Sequence, residues 1–320
     1  MGSKPKTCAP QLKPAVRQVE VPADRDGQRL DNFLARYLKG LPRGALYRLI
    51  RTGQVRVDGG RAKPDRKLLA GEVVRIPPVG HREASDVKVS EAVCRQIEAA
   101  ILHEDADLMV VDKPSGMAVH AGSGLTWGLI DAVRQIRPNR NVELVHRIDR
   151  ETSGCLVLAC SGEALRTLSE QFREGRVAKR YLCLLSGRLN QSPNQQFVEV
   201  DAAIAAERKG GEKHMTVDGE GRHAVTRFTV LKQFPRACYA KAEIDTGRTH
   251  QIRVHAHHIG APLAGDRKYA SDADNRYWRE KGLKRMFLHA AELEVTAPSG
   301  ELMDFSAPLP PELRHCLDSL

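Results

Sequence analysis

Apolar side chains recur at helical spacing between Arg29 and Leu41. Leu30, Phe33, Leu34, Tyr37, Leu38 and Leu41 fall on one side, Asp31, Asn32, Arg36 and Lys39 on the other. Ala45, Leu46, Leu49 and Ile50 form a second, shorter stripe that leaves Arg43, Arg48 and Arg51 off it, and Gly53 is placed to stop that helix. Val55 and Val57 then alternate with Gln54 and Arg56. After the turn Asp58-Gly59-Gly60, Val73, Val74 and Ile76 read as another strand, ended by Pro77-Pro78. Two helices and short strands predict a small α+β module over residues 19–78, behind a loose tail of Pro and Lys at 1–18. Residues 79–99 are polar and mixed in charge, the pattern of a linker. A second body spans 100–320. Its strand candidates are Leu108–Val111, Cys155–Ala159, Tyr181–Leu185, Phe228–Leu231, Tyr239–Ile244 and Leu293–Val295. Helical patterns intervene at Leu129–Ile136, Leu165–Phe172 and His250–Ile259. The expected class is α+β: a small module, then a mixed, mainly antiparallel sheet with helices packed on it.

Charge sharpens this division. The 320 residues carry a net +10, and residues 25–75 hold 13 basic and 5 acidic side chains, so the surplus sits almost wholly on the small module. That placement favours a polyanionic partner over a uniformly cationic surface. Apolar residues make up 41%, enough for a sizeable core, which excludes global disorder. The seven cysteines include no CxxC pair, as expected of reduced thiols in a cytoplasm. No apolar run reaches the ~20 residues of a membrane span. Neither GxGxxG nor a Walker A sequence is present to hold a nucleotide cofactor.

Three polar islands could carry chemistry. The stretch LVHRIDRETSGCLVLA, Leu144 to Ala159, places Asp149 where a strand gives way to a loop, between Arg147 and Arg150. Flanking guanidinium groups favour the ionised carboxylate, which suits a nucleophile or an electrostatic stabiliser. A structural salt bridge, with Thr152 and Ser153 organising the turn, reads equally well from these residues alone. In the second island Arg248, His250, Gln251 and Arg253 crowd just after an apolar strand, where clustered donors bind an anion or fix a carboxylate, or form a solvated helix face. In the third, Tyr181 opens a strand right after Lys179 and Arg180; it is either core or a surface for stacking a base. His255 and His258 share a helix face at i, i+3, but there is no HExxH and no acid between His250 and His258, so no metal site is expected.

Together these islands resemble the pseudouridine synthase family that modifies large-subunit ribosomal and transfer RNA. His146 to Gly154, HRIDRETSG, resembles the signature around its catalytic aspartate, with Ile148 where Leu is usual. The KRY of 179–181 resembles its tyrosine motif. GRTHQIRVH, Gly247 to His255, followed by IGAPLAGDRKY, resembles its third motif, and KPSGMAVH, Lys113 to His120, its first. The basic module independently resembles the S4 RNA-binding domain, through Arg29 and Asp31, LIRTGQVRVDG from Leu49 to Gly59, Lys63-Pro64 and LAGE from Leu69 to Glu72. Pro42 stands where Ser often precedes Arg43.

The resemblance implies isomerisation of specific uridines to pseudouridine in large-subunit (23S) ribosomal RNA of a bacterial type, through a flipped-out nucleotide and without a cofactor. It implies Asp149, Tyr181 and Arg253 as the catalytic set: the carboxylate, a ring stacked on uracil, and a guanidinium that aims the carboxylate. Three roles are compatible with Asp149: attack on the sugar, attack on the base, or removal of a sugar proton. Arg147 would fill the space of the flipped base, and Arg150, Lys179 and His250 would bind substrate. Arg29, Arg43, Arg48, Arg51 and Lys63 would meet RNA from the S4 module. The expected partner is ribosomal RNA, free or in an assembling large subunit, with the enzyme acting as a cytoplasmic monomer, without metal, nucleotide cofactor or membrane. The rival readings are a non-catalytic S4-type assembly factor, a metallohydrolase on the His255/His258 pair, and a sibling synthase acting on transfer RNA.

Overall fold

The computed structural model describes residues 16–38, 41, 43–78, 89–121, 125–189, 197–209 and 212–320. The chain divides into two compact units, Met1–Lys88 and Val89–Leu320.

In the first unit, strand β1 (Arg17–Glu20) is followed by helices α1 (Leu30–Tyr37) and α2 (Arg43–Arg51), then strands β2 (Arg56–Val57) and β3 (Val73–Ile76). The strands form an antiparallel sheet in the order β1-β3-β2. The two predicted stripes meet over it: Leu30, Phe33, Leu34, Leu46, Leu49 and Ile50 bury against Val55, Val57, Val74 and Ile76. Gly53 ends α2 at φ +72°, a backbone state that costs glycine little. The tail expected at 1–18 is cut short, because β1 begins at Arg17 and pairs along β3 from Ile76 to Val73. Residues 1–15 of that expectation lie outside the described residues.

The second unit opens with helix α3 (Glu91–Ala99), on residues expected to be linker. The Ser90 hydroxyl accepts from the Val93 amide as an N-cap, and Cys94 and Ile97 bury into the main core. The remaining linker residues, 79–88, lie outside the described ones. Then follow β4 (Ile101–Glu104), β5 (Leu108–Lys113), α4 (Leu129–Ile136), β6 (Glu143–Leu144), β7 (Ser153–Ala159), α5 (Gly162–Glu174), β8 (Ala178–Ser186), β9 (Val198–Asp201), the hairpin β10 (Ile204–Lys209) and β11 (Glu212–Val217), β12 (Val225–Gln233), β13 (Ala237–Ile244), α6 (Gln251–His258), α7 (Asp272–Glu280), β14 (Leu288–Thr296), β15 (Leu302–Ser306) and α8 (Pro311–Asp318).

One sheet runs β4-β5-β7-β14-β8-β13-β12-β9, with β15 on β14 and β6 on β7. Among the described residues only β7 and β14 pair in parallel in this sheet; the other pairings are antiparallel. β5 and β7 read as continuous apolar runs because both sheet faces are covered. Met109, Val111, Leu156 and Leu158 bury in the cluster that holds α4, while Leu108, Val110, Cys155 and Val157 bury in the one that holds α5. At the parallel seam Gly154 lies opposite Ala290 at φ +109°, and a Cβ there would sit 2.1 Å from the Ala290 carbonyl oxygen. Glycine at 154 thus lets the two strands close, and fixes where the loop before β7 enters the sheet. No helix among the described residues is long and apolar enough to cross a membrane.

Candidate active site

Asp149 sits in the loop between β6 and β7, five residues before the seam glycine. Its carbonyl accepts from the Thr152 amide at 3.1 Å, which turns the chain into β7. Its carboxylate is 22% exposed, open enough to meet a substrate. Arg253 Nη1 approaches Asp149 Oδ2 at 3.3 Å, and His250 Nε2 lies 3.9 Å from the same oxygen.

The Arg253 guanidinium is held from two sides. Its Nε and Nη2 donate to Asp266 Oδ2 and Oδ1 at 2.7 and 2.8 Å, a fork-to-fork pair buried in the core. Its planar group lies 5.1 Å from the Tyr269 ring centroid. Burial alone would lower the Arg253 pKa, but Asp266 and Asp149 outweigh it and hold the group above its ordinary value. Arg253 therefore stays cationic, with its free edge turned to Asp149. Asp266 is itself aimed, since its Oδ1 also accepts from the Lys268 amide at 2.9 Å.

Tyr181 opens the buried part of β8, with Ala242 and Ala290 as its cross-strand neighbours. Burial, and then the Asp149 charge, push its phenol pKa up, so it remains a neutral aromatic surface. Its hydroxyl has no hydrogen-bond partner among the described residues.

A second loop supports the first. Lys113, at the end of β5, is fully buried, and its ammonium donates to the carbonyls of Pro114, Met117 and Arg150 at 2.9, 2.8 and 3.1 Å. The Gly116 amide donates to Arg150 O at 2.8 Å, Arg150 Nε returns a bond to Gly116 O, and the Ser115 hydroxyl donates to Glu151 O. The 113–117 loop is thereby stitched to the residues just after Asp149. Burial, followed by the Arg285 charge, pushes the Lys113 pKa down to about 7.

Of the residues singled out in the sequence, Asp149, Arg253, His250 and Tyr181 converge. Arg147 is exposed and has no hydrogen bond or ion pair among the described residues. Arg150, expected to bind substrate, spends its Nε on Gly116, and the guanidinium against Asp149 belongs to Arg253 instead of the flanking arginines. Lys179 does not reach the cluster. It is buried, donates to the Asp245 carbonyl at 3.4 Å and lies 6.0 Å from the Phe172 ring of α5. His146 is also structural: its Nε2 accepts from the Val157 amide at 3.0 Å and its ring stacks on Phe172. His255 uses both ring nitrogens, on Thr226 and the Ala202 carbonyl. In the first unit, Arg48, Arg51 and Lys63 are exposed and unpaired among the described residues. Arg29 is half-exposed and forked onto Asp31 at 2.8 and 3.1 Å. Arg43 opens α2, but its side chain is outside the described ones.

Sequence reading gave no role to Lys113, Asp266 or Tyr269, although all three stand in the quoted KPSGMAVH and GDRKY stretches. An Asp within a turn after a basic helix was the available signal.

Comparison with known proteins identifies the family of each unit. Residues 107–258 match the RNA pseudouridylate synthase family and residues 28–74 the S4 domain. The chain is 45% identical over 312 residues to the ribosomal large subunit pseudouridine synthase C of Yersinia pestis, covering 96% of each protein. It is 43% identical over 313 residues to the protein of the same description from Escherichia coli K12, covering 96% of this chain and 97% of that one. Among solved structures, human RNA pseudouridylate synthase domain containing 1 aligns with a TM-score of 0.57 at 28% identity, over 68% of this chain and 86% of that one. Human RNA pseudouridylate synthase domain containing 4 aligns at the same TM-score and 24% identity, over 71% and 95%, a likeness of fold.

Proposed function

The chain belongs to the RNA pseudouridylate synthase family, and from that premise we propose that it isomerises specific uridines to pseudouridine in large-subunit (23S) ribosomal RNA. The reaction breaks the N1–C1′ bond, turns the base and joins C5 to C1′, releasing the C5 proton to water while the freed N1 takes up one proton. Atoms and electrons balance within the nucleotide, so no redox partner or phosphate donor is called for. The observation that carries the reading is Asp149 Oδ2 at 3.3 Å from a guanidinium that Asp266 locks in place.

Each residue then has a physical task. Arg253 sets a fixed cation against Asp149 and limits its orientations, which lowers the entropy cost of aligning carboxylate and sugar. The Tyr181 ring supports the face of the flipped uracil. Arg147, exposed and uncommitted, enters the stack that the uridine leaves, offsetting part of the few kcal/mol that extrusion costs. His250 borders the carboxylate. The S4 domain supplies phosphate contacts through Arg48, Arg51 and Lys63, with Arg29 turned partly to Asp31. The protein works on ribosomal RNA in the cytoplasm as a monomer.

The test is tritium release from large-subunit RNA transcribed with [5-³H]uridine, because forming the new bond at C5 expels that hydrogen. Release at discrete uridines by the purified chain is expected. Full binding of the RNA with no release by the unmodified protein would instead support a non-catalytic S4-type assembly factor.

A further inference from the structure

Tyr269 lies outside the residues given a task so far, yet three parts of the site meet on it. Its ring underlies the Arg253 guanidinium. Its hydroxyl is 2.7 Å from His250 Nδ1 and accepts from the Met215 amide of β11 at 3.2 Å. His250 in turn presents Nε2 to Asp149. The direction of the protons follows from counting donors. A phenol has one hydrogen. With a lone pair taken by the Met215 amide, the phenol hydrogen has one acceptor among the described residues, His250 Nδ1. The imidazole then carries its own hydrogen on Nε2, the nitrogen that faces Asp149.

We infer that Tyr269 is a positioning residue that fixes the Nε2–H tautomer of His250, so that a neutral donor always faces the catalytic carboxylate. The inference rests on the reading of Asp149 as that carboxylate. Backbone geometry supports it. His250 is held at φ 56°, an uncommon state for a side chain with a Cβ, just before α6 begins. An unsupported ring there would be free to turn about its side-chain bonds. Tyr269 pins Nδ1, and so sets which nitrogen reaches the pocket. Burial, only partly opposed by the Asp149 charge, pushes the His250 pKa down to about 4, consistent with a neutral ring. Around that ring stand Asp149, Arg253, Asp266, Lys268 and Tyr269. The arrangement gives Asp149 a fixed cation on one side and a neutral N–H on the other. A donor without charge can follow the carboxylate as its charge changes during reaction, at little electrostatic cost.

Tyr269→Phe tests this, because it keeps the ring under Arg253 and removes only the hydroxyl. Misdirecting one donor at a reacting carboxylate should lower kcat roughly ten- to a hundredfold with KM for RNA little changed. In a His250→Asn background the same change should cost nothing further, since its route to Asp149 is already gone. Nitrogen-15 spectra of histidine-labelled protein, with His250 assigned from the His250→Asn spectrum, should show Nε2–H before the change and a mixed tautomer after it. Equal losses from Tyr269→Phe in both backgrounds would make the hydroxyl a mere strut for the β11 hairpin, and an unchanged tautomer or unchanged kcat would also overturn the inference. Asp149→Asn is the separate control: if that variant turns over normally the reading of Asp149 fails, whatever Tyr269 does.

Discussion

The cations of the first unit's second helix and the arginine beside Asp149 are held in different ways. In the S4 domain Arg48, Arg51 and Lys63 stand exposed and unpaired among the described residues. In the second unit Arg147 is likewise uncommitted, but another set of arginines is bound to carboxylates: Arg137 to Glu98 and Glu104, Arg180 to Glu243 and Glu292, Arg227 to Glu199 and Asp245, Arg253 to Asp266 and Asp149. An uncommitted surface cation attracts any phosphate and adds grip without direction. A cation fixed by a buried carboxylate adds little grip, but it holds what it touches to a narrow geometry. On the proposed function, affinity and alignment then fall to different parts of one chain.

The sharpest way to break that contrast is at Arg253. Arg253→Ala leaves Asp266 buried without its partner and Asp149 without its cation. Turnover should fall by about two orders of magnitude or more, while RNA affinity stays near normal. Arg253→Lys keeps the charge but loses the fork, and should recover only part of the rate. Full turnover in the Ala variant at neutral pH would remove the claim that alignment resides there.

Lys113 comes next. Lys113→Met keeps the bulk and leaves three loop carbonyls without their donor. The cost should be about 3 kcal/mol. For a unit of this size that is roughly 6–12 °C in Tm. A melt that moves by less than a degree would show that the two loops are held by the remaining bonds, from Gly116, Ser115 and Arg150.

A pH series should separate the units without mutation. Burial pushes the His146 pKa down to about 3 and that of His250 to about 4, and it lowers His255 and His289 as well. A histidine depressed in the folded state refuses a proton that the unfolded chain accepts, so stability is full above about 6.5 and is lost as pH falls toward the folded value. At pH 5 each such ring costs up to about 2 kcal/mol. The second unit should therefore melt progressively earlier from pH 7 to pH 5. The described part of the first unit contains no histidine and should barely move. A uniform shift of both transitions would contradict the assignment of buried neutral rings.

The smallest effect is expected from the S4 cations one at a time. Arg48→Gln or Arg51→Gln should weaken binding equally for matched and unmatched RNA, reduce the salt slope by about 1 per charge removed, and leave turnover at saturating RNA unchanged. An unchanged slope would make these side chains plain solvated surface.

How much of this could be read from residues alone depended on the kind of signal. The α4 stripe, Leu129 to Ile136, has the bounds that its periodicity gives, and the apolar runs at Leu108 and Cys155 fall inside β5 and β7. α3 escaped because its buried face is only Cys94 and Ile97, too little to stand out among polar neighbours. The β10–β11 hairpin escaped because its strands, IAAERK and EKHMTV, show no clear apolar alternation, and find their place by pairing with each other and by packing Ile204, Met215 and Val217 beside Val254 and Tyr269. The site followed the same rule. Asp149 and Arg253 lie in short linear motifs, so they were legible. What aims them was not. Lys113 bonds to Arg150 across 37 positions, and Tyr269 reaches Met215 across 54, pairings that only the folded chain creates. Lys179 shows the converse: a lysine beside a tyrosine on one strand is turned in the fold to the Asp245 carbonyl and the Phe172 ring, a placement its sequence position does not reveal.

Asp149→Asn probes the division of labour with the least disturbance, since the substitution keeps the shape of the side chain and removes its charge. Pseudouridine formation and binding constant should be read on the same large-subunit RNA, at the same salt, for this variant and the unmodified protein. The expected result is no pseudouridine above background with RNA affinity within about twofold, as for a lost reacting group outside the phosphate-binding surface. Near-normal turnover in the Asn variant, or a collapse of affinity that tracks the loss of product, would contradict it.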